Sequence, residues 1–178
     1  MTEEEKRPIP ESYWVVPGHL LAGEHPAQFD EEVTRRRLDA LLEAGFDTFI
    51  DLTRPNETFP YHLILPEEAK DRRVTYQRFS IGDFGLPTPE QMNALLNTIE
   101  EGLHSGRKIY LHCWGGIGRT GTTVGCYLVR QGMTGAEALE QLAAWWRNVP
   151  KSRHYPRSPE TSAQADFIRN WSQFDKKV

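Results

Sequence analysis

Cysteine is scarce: the chain of 178 residues has two, Cys113 and Cys126. That excludes a scaffold built on disulfides. Cys126 falls well inside the helix expected after residue 118, and a rigid helix keeps the two thiols too far apart to bridge. It reads as a small buried hydrophobe. One chemically placed thiol and no disulfide point to a reducing cytoplasm. No apolar run approaches the ~20 residues of a membrane span. Basic residues are not in excess, since the net charge is -4, so nothing suggests nucleic acid as a partner. The opening MTEEEKRPIP lacks the pattern of a signal peptide. Residues 1–10 read as a flexible tail before one domain over 11–178, with no internal repeat.

What the chain does have is concentrated in KIYLHCWGGIGRTG, Lys108 to Gly121. Ile109 to His112 read as the end of a buried strand. Val124, Tyr127 and Leu128 then fall at helical spacing. Between them lie Cys113, glycines at 115, 116 and 118, and Arg119. A strand feeds a glycine-rich loop, and the loop feeds a helix N-terminus. The first N–H groups of a helix lack intrahelical partners and sit at the positive end of its dipole, so they collect anions. Glycines let the loop curl until more N–H groups converge. Arg119 adds a planar fork suited to two phosphate oxygens. Cys113 stands at the edge of the same cradle, where N–H dipoles and a guanidinium favour a thiolate. The arrangement puts a nucleophile under a bound phosphate.

This loop resembles the signature of the cysteine-dependent protein tyrosine phosphatases: His-Cys, five residues, Arg-Ser/Thr. Every defining position is filled, by His112, Cys113, Trp114, Gly115, Gly116, Ile117, Gly118, Arg119 and Thr120. The rivals are a redox cysteine beside a chance arginine and a rhodanese-like loop, which gives no reason for the His-Cys and Arg-Thr-Gly flanks. The compact length and short loops look like the dual-specificity branch. The resemblance implies a phosphomonoester hydrolase that uses a cysteinyl-phosphate intermediate and needs no metal or cofactor. Cys113 is its nucleophile, and the loop N–H groups with Arg119 steady the phosphoryl oxygens. His112 orients the loop. Thr120 donates to the sulfur, caps the helix, or does both.

The leaving oxygen needs a general acid. Asp83, in IGDFGLPTPEQ and 30 positions before Cys113, resembles the family's acid. Its other reading is a turn aspartate, and Glu57 is the next candidate. Gln164, in the spacing Thr161-x-x-Gln164, resembles the segment that places the hydrolytic water; the alternative is a surface helix residue. Glu160 stands where the family carries a second glutamine. Arg153 and Arg157 are candidates for a second substrate anion or are simply solvated. The substrate implied is a phosphorylated protein or small phosphomonoester: phosphotyrosine first, with phosphoserine and phosphothreonine beside it. An inositol-phosphate or phosphoinositide phosphatase is the alternative, disfavoured because the loop carries no lysine. A phosphoprotein-binding pseudophosphatase is a third reading, against which stand Cys113, Arg119 and Asp83.

The remaining pattern alternates strands and helices. Residues 13–16 and 19–22 flank Pro17-Gly18 and read as a hairpin. Asp30 caps a helix to about Ala44, with Val33, Leu38, Leu41 and Leu42 on one side and Arg35-Arg36-Arg37 on the solvated face. Residues 46–52 and 74–81 read as strands, 53–66 as a loop and 66–72 as a short helix. Thr88 and Thr134 open capped helices. Ser158-Pro159 reads as the start of the last one. Alternation of this kind predicts a single-domain α/β fold, its central sheet mostly parallel with helices on both faces. The resemblance sets the sheet at about five strands, with the signature loop at a strand's C-terminal end.

Overall fold

Short strands whose side chains alternate between two apolar faces decide the layering. The computed structural model describes residues 6–177. Five strands, β1 (Ser12–Val16), β2 (Leu20–Gly23), β3 (Thr48–Asp51), β4 (Thr75–Arg78) and β5 (Ile109–His112), form one sheet in the order β1-β2-β5-β3-β4. The β1/β2 hairpin is antiparallel and the other pairings are parallel. Leu20, Ala22, Ile50, Ile109 and Leu111 face one core, shared with α3 (Pro89–His104), α4 (Gly118–Arg130), α5 (Gly135–Trp146) and α6 (Ser162–Arg169). Leu21, Phe49 and Tyr110, one residue out of phase, face a second core with α1 (Glu31–Glu43) and α2 (Leu65–Ala69). The period of two places the strands between two helical layers, as the sequence predicted. Trp146 and Trp171 are among the largest fully buried side chains. Truncating either to alanine costs about 3–5 kcal/mol.

Local chemistry starts the helices. Asp30 accepts from Val33 N–H, and Thr88, Thr134 and Thr161 each close a capping box three residues on. The last of these corrects the expected start at Ser158-Pro159. Thr161 and Gln164 satisfy the N-terminal donors, while the Ser158 hydroxyl is spent on the Ile117 carbonyl. Three further expectations change. The tail is not wholly a tail: Ile9 is fully buried in the second core, and residues 1–5 lie outside the described range. The loop 53–66 contains a single 3-10 turn, Tyr61–Leu63, and Tyr61 is fully buried. The arginine run is paired: Arg35 with Glu31, Glu67 and Glu68, Arg36 with Glu32, and Arg37 with Glu24.

Register then positions the site. Gly23 pairs with His112, His112 with Asp51, and Asp51 with Arg78. These four residues make one row across the C-terminal ends of the parallel strands. Cys113 is the first residue beyond that row.

Candidate active site

Between β5 and α4 the backbone turns through Cys113 to Ile117, and its carbonyls are tied down from outside. The His112 Nδ1–H donates to the Cys113 carbonyl at 3.0 Å and the His25 N–H to the Trp114 carbonyl at 2.9 Å. Lys151 Nζ reaches the Gly115 carbonyl at 3.2 Å. Ser158 and Thr122 hydroxyls take the Ile117 and Gly118 carbonyls, each at 2.7 Å. A trans peptide points its N–H opposite its C=O. The N–H groups of residues 115, 116, 118 and 119 therefore turn the other way, and none donates to another described residue. Gly116 adopts φ +73°, and a Cβ there would lie 2.5 Å from the Gly23 backbone. Only glycine serves at that position.

The loop forms the floor of a cavity of about 270 Å³. Cys113 is 3 % exposed and Arg119 2 %. The guanidinium is gripped on one edge: Nη1 and Nη2 donate to the two Glu57 oxygens at 2.9 and 2.6 Å, and Nη1 also donates to the Ile81 carbonyl at 2.9 Å. Its Nε–H makes no bond to the described residues. Nη2 also donates to Asp83 Oδ1 at 3.2 Å. The edge left for an anion is thus the Nε/Nη2 side, which Asp83 touches from the mouth.

This arrangement corrects the standing of Glu57 as the alternative acid. Burial alone would raise its pKa, but the Arg119 hydrogen bonds hold it below the usual carboxylate range. It positions the arginine. Asp83 lines the cavity, its side chain 54 % exposed, and its Oδ1 also accepts from Phe84 N–H at 3.1 Å. Phe84 itself sits at φ +57°, a conformation that side chains other than glycine rarely hold.

Other expected residues land differently. The Thr120 hydroxyl is buried with no hydrogen-bond partner. It neither bonds the sulfur nor caps the helix, because α4 begins two residues earlier, at Gly118. Gln164 is fully buried, not a surface residue. Its Oε1 accepts from the Glu160 and Thr161 N–H groups at 3.1 Å, and its Nε2 donates to the Gly85 carbonyl at 3.2 Å, tying α6 to the loop that carries Asp83. Glu160 faces the cavity, its pKa raised by burial and then by the Asp83 charge. Arg153 and Arg157 are exposed and line none of it; Lys151 and Tyr155 do so instead.

Behind the loop lies a set of residues that their sequence positions did not suggest. His25, Asp51 and His112 bring ligand atoms within 4.8 Å of one another. Each of those atoms already has a protein partner. Asp51 accepts from Thr53 N–H (2.8 Å), Thr53 hydroxyl (2.7 Å), Tyr76 hydroxyl (2.7 Å) and Arg78 (3.2 Å). His112 spends Nδ1–H on Cys113, so its Nε2 accepts from the Tyr61 hydroxyl at 2.7 Å. His25 accepts from Ala27 N–H at Nδ1, so Nε2 carries the proton toward Thr58. The chemistry of this set is a hydrogen-bond network, not an open coordination sphere. Burial would raise the Asp51 pKa, but His112 and the Thr53 and Tyr76 hydrogen bonds carry it well below the usual range.

A thiol and an arginine facing one cavity across a cradle of free N–H groups is a geometry that known proteins can be matched against. The profile of the Swiss Army Knife DSP-PTPase phosphatase domain fits residues 10–168. The chain belongs to that family. The mouse protein tyrosine phosphatase domain-containing protein 1 is 27% identical to this phosphatase domain over 176 residues, covering 92% of the chain and 22% of that protein. An Arabidopsis thaliana protein named phosphatidylinositol 3,4,5-trisphosphate 3-phosphatase and protein-tyrosine-phosphatase PTEN1 is 31% identical over 166 residues, 89% of the chain and 37% of its own length. The domain thus spans 22% and 16% of the mouse and cattle proteins it matches. Among solved structures, Tk-PTP in its active form superposes with TM-score 0.68 at 28% identity, covering 92% of this chain and 97% of that one. PTPMT1 in complex with PI(5)P shares the fold at TM-score 0.65 and 18% identity, covering 92% and 95%.

Proposed function

We propose that this domain hydrolyses phosphomonoesters through a cysteinyl-phosphate on Cys113, with phosphotyrosine in proteins as its preferred substrate and phosphoserine and phosphothreonine behind it. The observation that carries the substrate choice is the wall of the cavity. Phe84, Trp114 and Tyr155 present half-exposed aromatic faces around it. Its cations are both committed, Arg119 to Glu57 and Lys151 to Glu24. Asp83 and Glu160 add negative charge. An aryl monophosphate meets ring faces there, whereas each further phosphate of an inositol polyphosphate meets a carboxylate.

In the first step the Cys113 thiolate attacks phosphorus and Asp83 protonates the leaving oxygen. Phosphate displaces Asp83 from Arg119 Nη2 and takes the Nε/Nη2 edge, so substrate entry frees the carboxyl that must act. Loop N–H groups and Arg119 hold the charge on the equatorial oxygens. Water then attacks the cysteinyl-phosphate with Asp83 as base. The free thiols Cys113 and Cys126 fit a reducing compartment such as the cytoplasm.

Inositol lipids are the second reading, favoured by the names of the Arabidopsis relative and of the PTPMT1 complex. A side-by-side panel tests the two. Phosphotyrosine peptides should exceed inositol polyphosphates and phosphoinositides in kcat/KM; the reverse order would overturn the assignment. Binding of phosphopeptide with no turnover of a simple aryl phosphate would leave a pseudophosphatase.

A further inference from the structure

We infer that Lys151 is a positioning residue for the phosphate loop: by holding the Gly115 carbonyl outward it aims the Gly116 N–H into the anion cradle, and Glu24 keeps it in place. The inference rests on the reading that this loop binds phosphate. Of the five donors on the loop carbonyls, His25, His112, Thr122 and Ser158 are buried. Lys151 is the long, flexible one, its side chain 21 % exposed. Yet it holds the peptide that most needs holding. That peptide lies between two glycines, where rotation meets no Cβ on either side. Gly116 is packed against the Gly23–Glu24 backbone, but a Cβ on Gly115 would meet only Ile117, at an ordinary 3.4 Å. The Gly115 side of the peptide therefore depends on its hydrogen bond.

Lys151 is itself anchored. Its backbone N–H donates to the Glu11 carboxylate at 2.8 Å, and Nζ contacts Glu24 Oε2 at 2.5 Å. Glu24 Oε1 in turn accepts from Arg37 at 2.7 Å. A chain of charges thus runs from Arg37 in α1 through Glu24 and Lys151 to the loop. The ammonium also polarises the Gly115–Gly116 amide, which makes the Gly116 N–H a stronger donor to an anion. Direct contact between Lys151 and substrate is the competing account, since the side chain lines the cavity.

Tungstate binding, aryl phosphate kinetics and the Gly116 amide resonance separate these accounts. In Lys151→Met, tungstate affinity and kcat/KM should fall about tenfold, the worth of one charge-assisted hydrogen bond. The Gly116 amide should shift or broaden in the ligand-free protein. Lys151→Arg should restore much of both. Glu24→Gln, which leaves the lysine but loosens it, should show the same pattern at smaller size. Unchanged tungstate affinity in Lys151→Met, or a loss with an unmoved Gly116 resonance in the ligand-free protein, overturns the inference; the second outcome assigns Lys151 to substrate. If the wild-type domain binds no tungstate and turns over no aryl phosphate, the phosphatase reading itself has failed, and that result is seen before any variant is made.

Discussion

The two sides of the phosphate loop are built on opposite rules. Behind it, His25, Asp51, Tyr61 and His112 are all at most 1 % exposed, and their polar atoms are bonded to one another or to neighbours. In front, Asp83, Phe84 and Tyr155 are all more than half exposed, and Asp83 is held by one contact to Arg119 and one to its neighbour's N–H. The rear leaves the loop one arrangement, because any buried group that loses its partner keeps the full desolvation cost. The front is free to rearrange when substrate enters. Shape is made behind the loop, and the choice and handling of substrate in front of it. The comparison breaks if residues from the two sides respond alike to mutation.

The largest effect belongs to the floor between the two sides. Cys113→Ser should reduce turnover to background while tungstate still binds, because the N–H cradle and Arg119 remain. Activity above a trace, measured without metal, would remove Cys113 from its role. Arg119→Lys should be severely impaired too, since an ammonium cannot hold Glu57 on one edge and phosphate on the other.

At the front, Asp83→Ala should lower kcat by ~10²–10⁴ on phenyl or alkyl phosphates, the range of general acid catalysis. Nitrated or fluorinated aryl phosphates leave as weak bases and should lose much less. A further loss on phenyl phosphate when Glu160→Gln is added to Asp83→Ala would assign part of the proton transfer to Glu160, which shares the cavity and has a raised pKa. A uniform loss across leaving groups would reduce Asp83 to a loop-shaping residue.

Behind the loop the expected loss is in stability. Tyr61→Phe removes the donor to His112 Nε2 and leaves a buried acceptor unpaired, which costs about 1–3 kcal/mol. Chemical denaturation should report that loss. Its kinetic signature should be independent of the leaving group, unlike that of Asp83→Ala. A leaving-group dependence in Tyr61→Phe would merge the two sides that the comparison keeps apart.

The two sides also differ in how legible they were. The floor was readable because its chemistry sits on contiguous residues, from His112 to Arg119. The layers were readable because period-two and helical patterns carry their own geometry, and the threonine boxes at Thr88 and Thr134 mark two of the helix starts. Asp51, Tyr61 and His25 left no such trace. They lie 51 to 87 positions from His112, and β-sheet register, a 3-10 turn and the segment after β2 each bring one of them to it. Asp51 ends an apolar strand, FDTFIDL, and a carboxylate in that place was the one available hint. Glu57 stood as the reserve acid because its partner, Arg119, lies 62 residues on. Lys151 was passed over for Arg153 and Arg157 because a 3-10 turn at Pro150–Arg153, not the charge pattern, decides which of them turns inward.

The smallest expected effect tests the rear network through its protons. Burial pushes His25 from the ordinary 6.5 down to about 3; the neighbouring His112 adds to the shift and Asp51 opposes it. His112 is lowered as well, chiefly by burial. Both are neutral in the fold at pH values where the unfolded chain has protonated them. Between pH 6.5 and about 3, then, unfolding takes up a proton at His25, and stability falls as the pH falls. The full slope is about 1.4 kcal/mol per pH unit for each histidine so shifted. Denaturation measured from pH 7 to 5.5, above the range where carboxylates titrate, should show this decline. His25→Gln removes one of the two groups, so its stability should decline less steeply over the same interval, whatever its absolute value. An equal slope in both proteins would mean that His25 is protonated in the native state. In that case the tautomer inferred from Ala27 and Thr58, and the closed rear network with it, would be wrong.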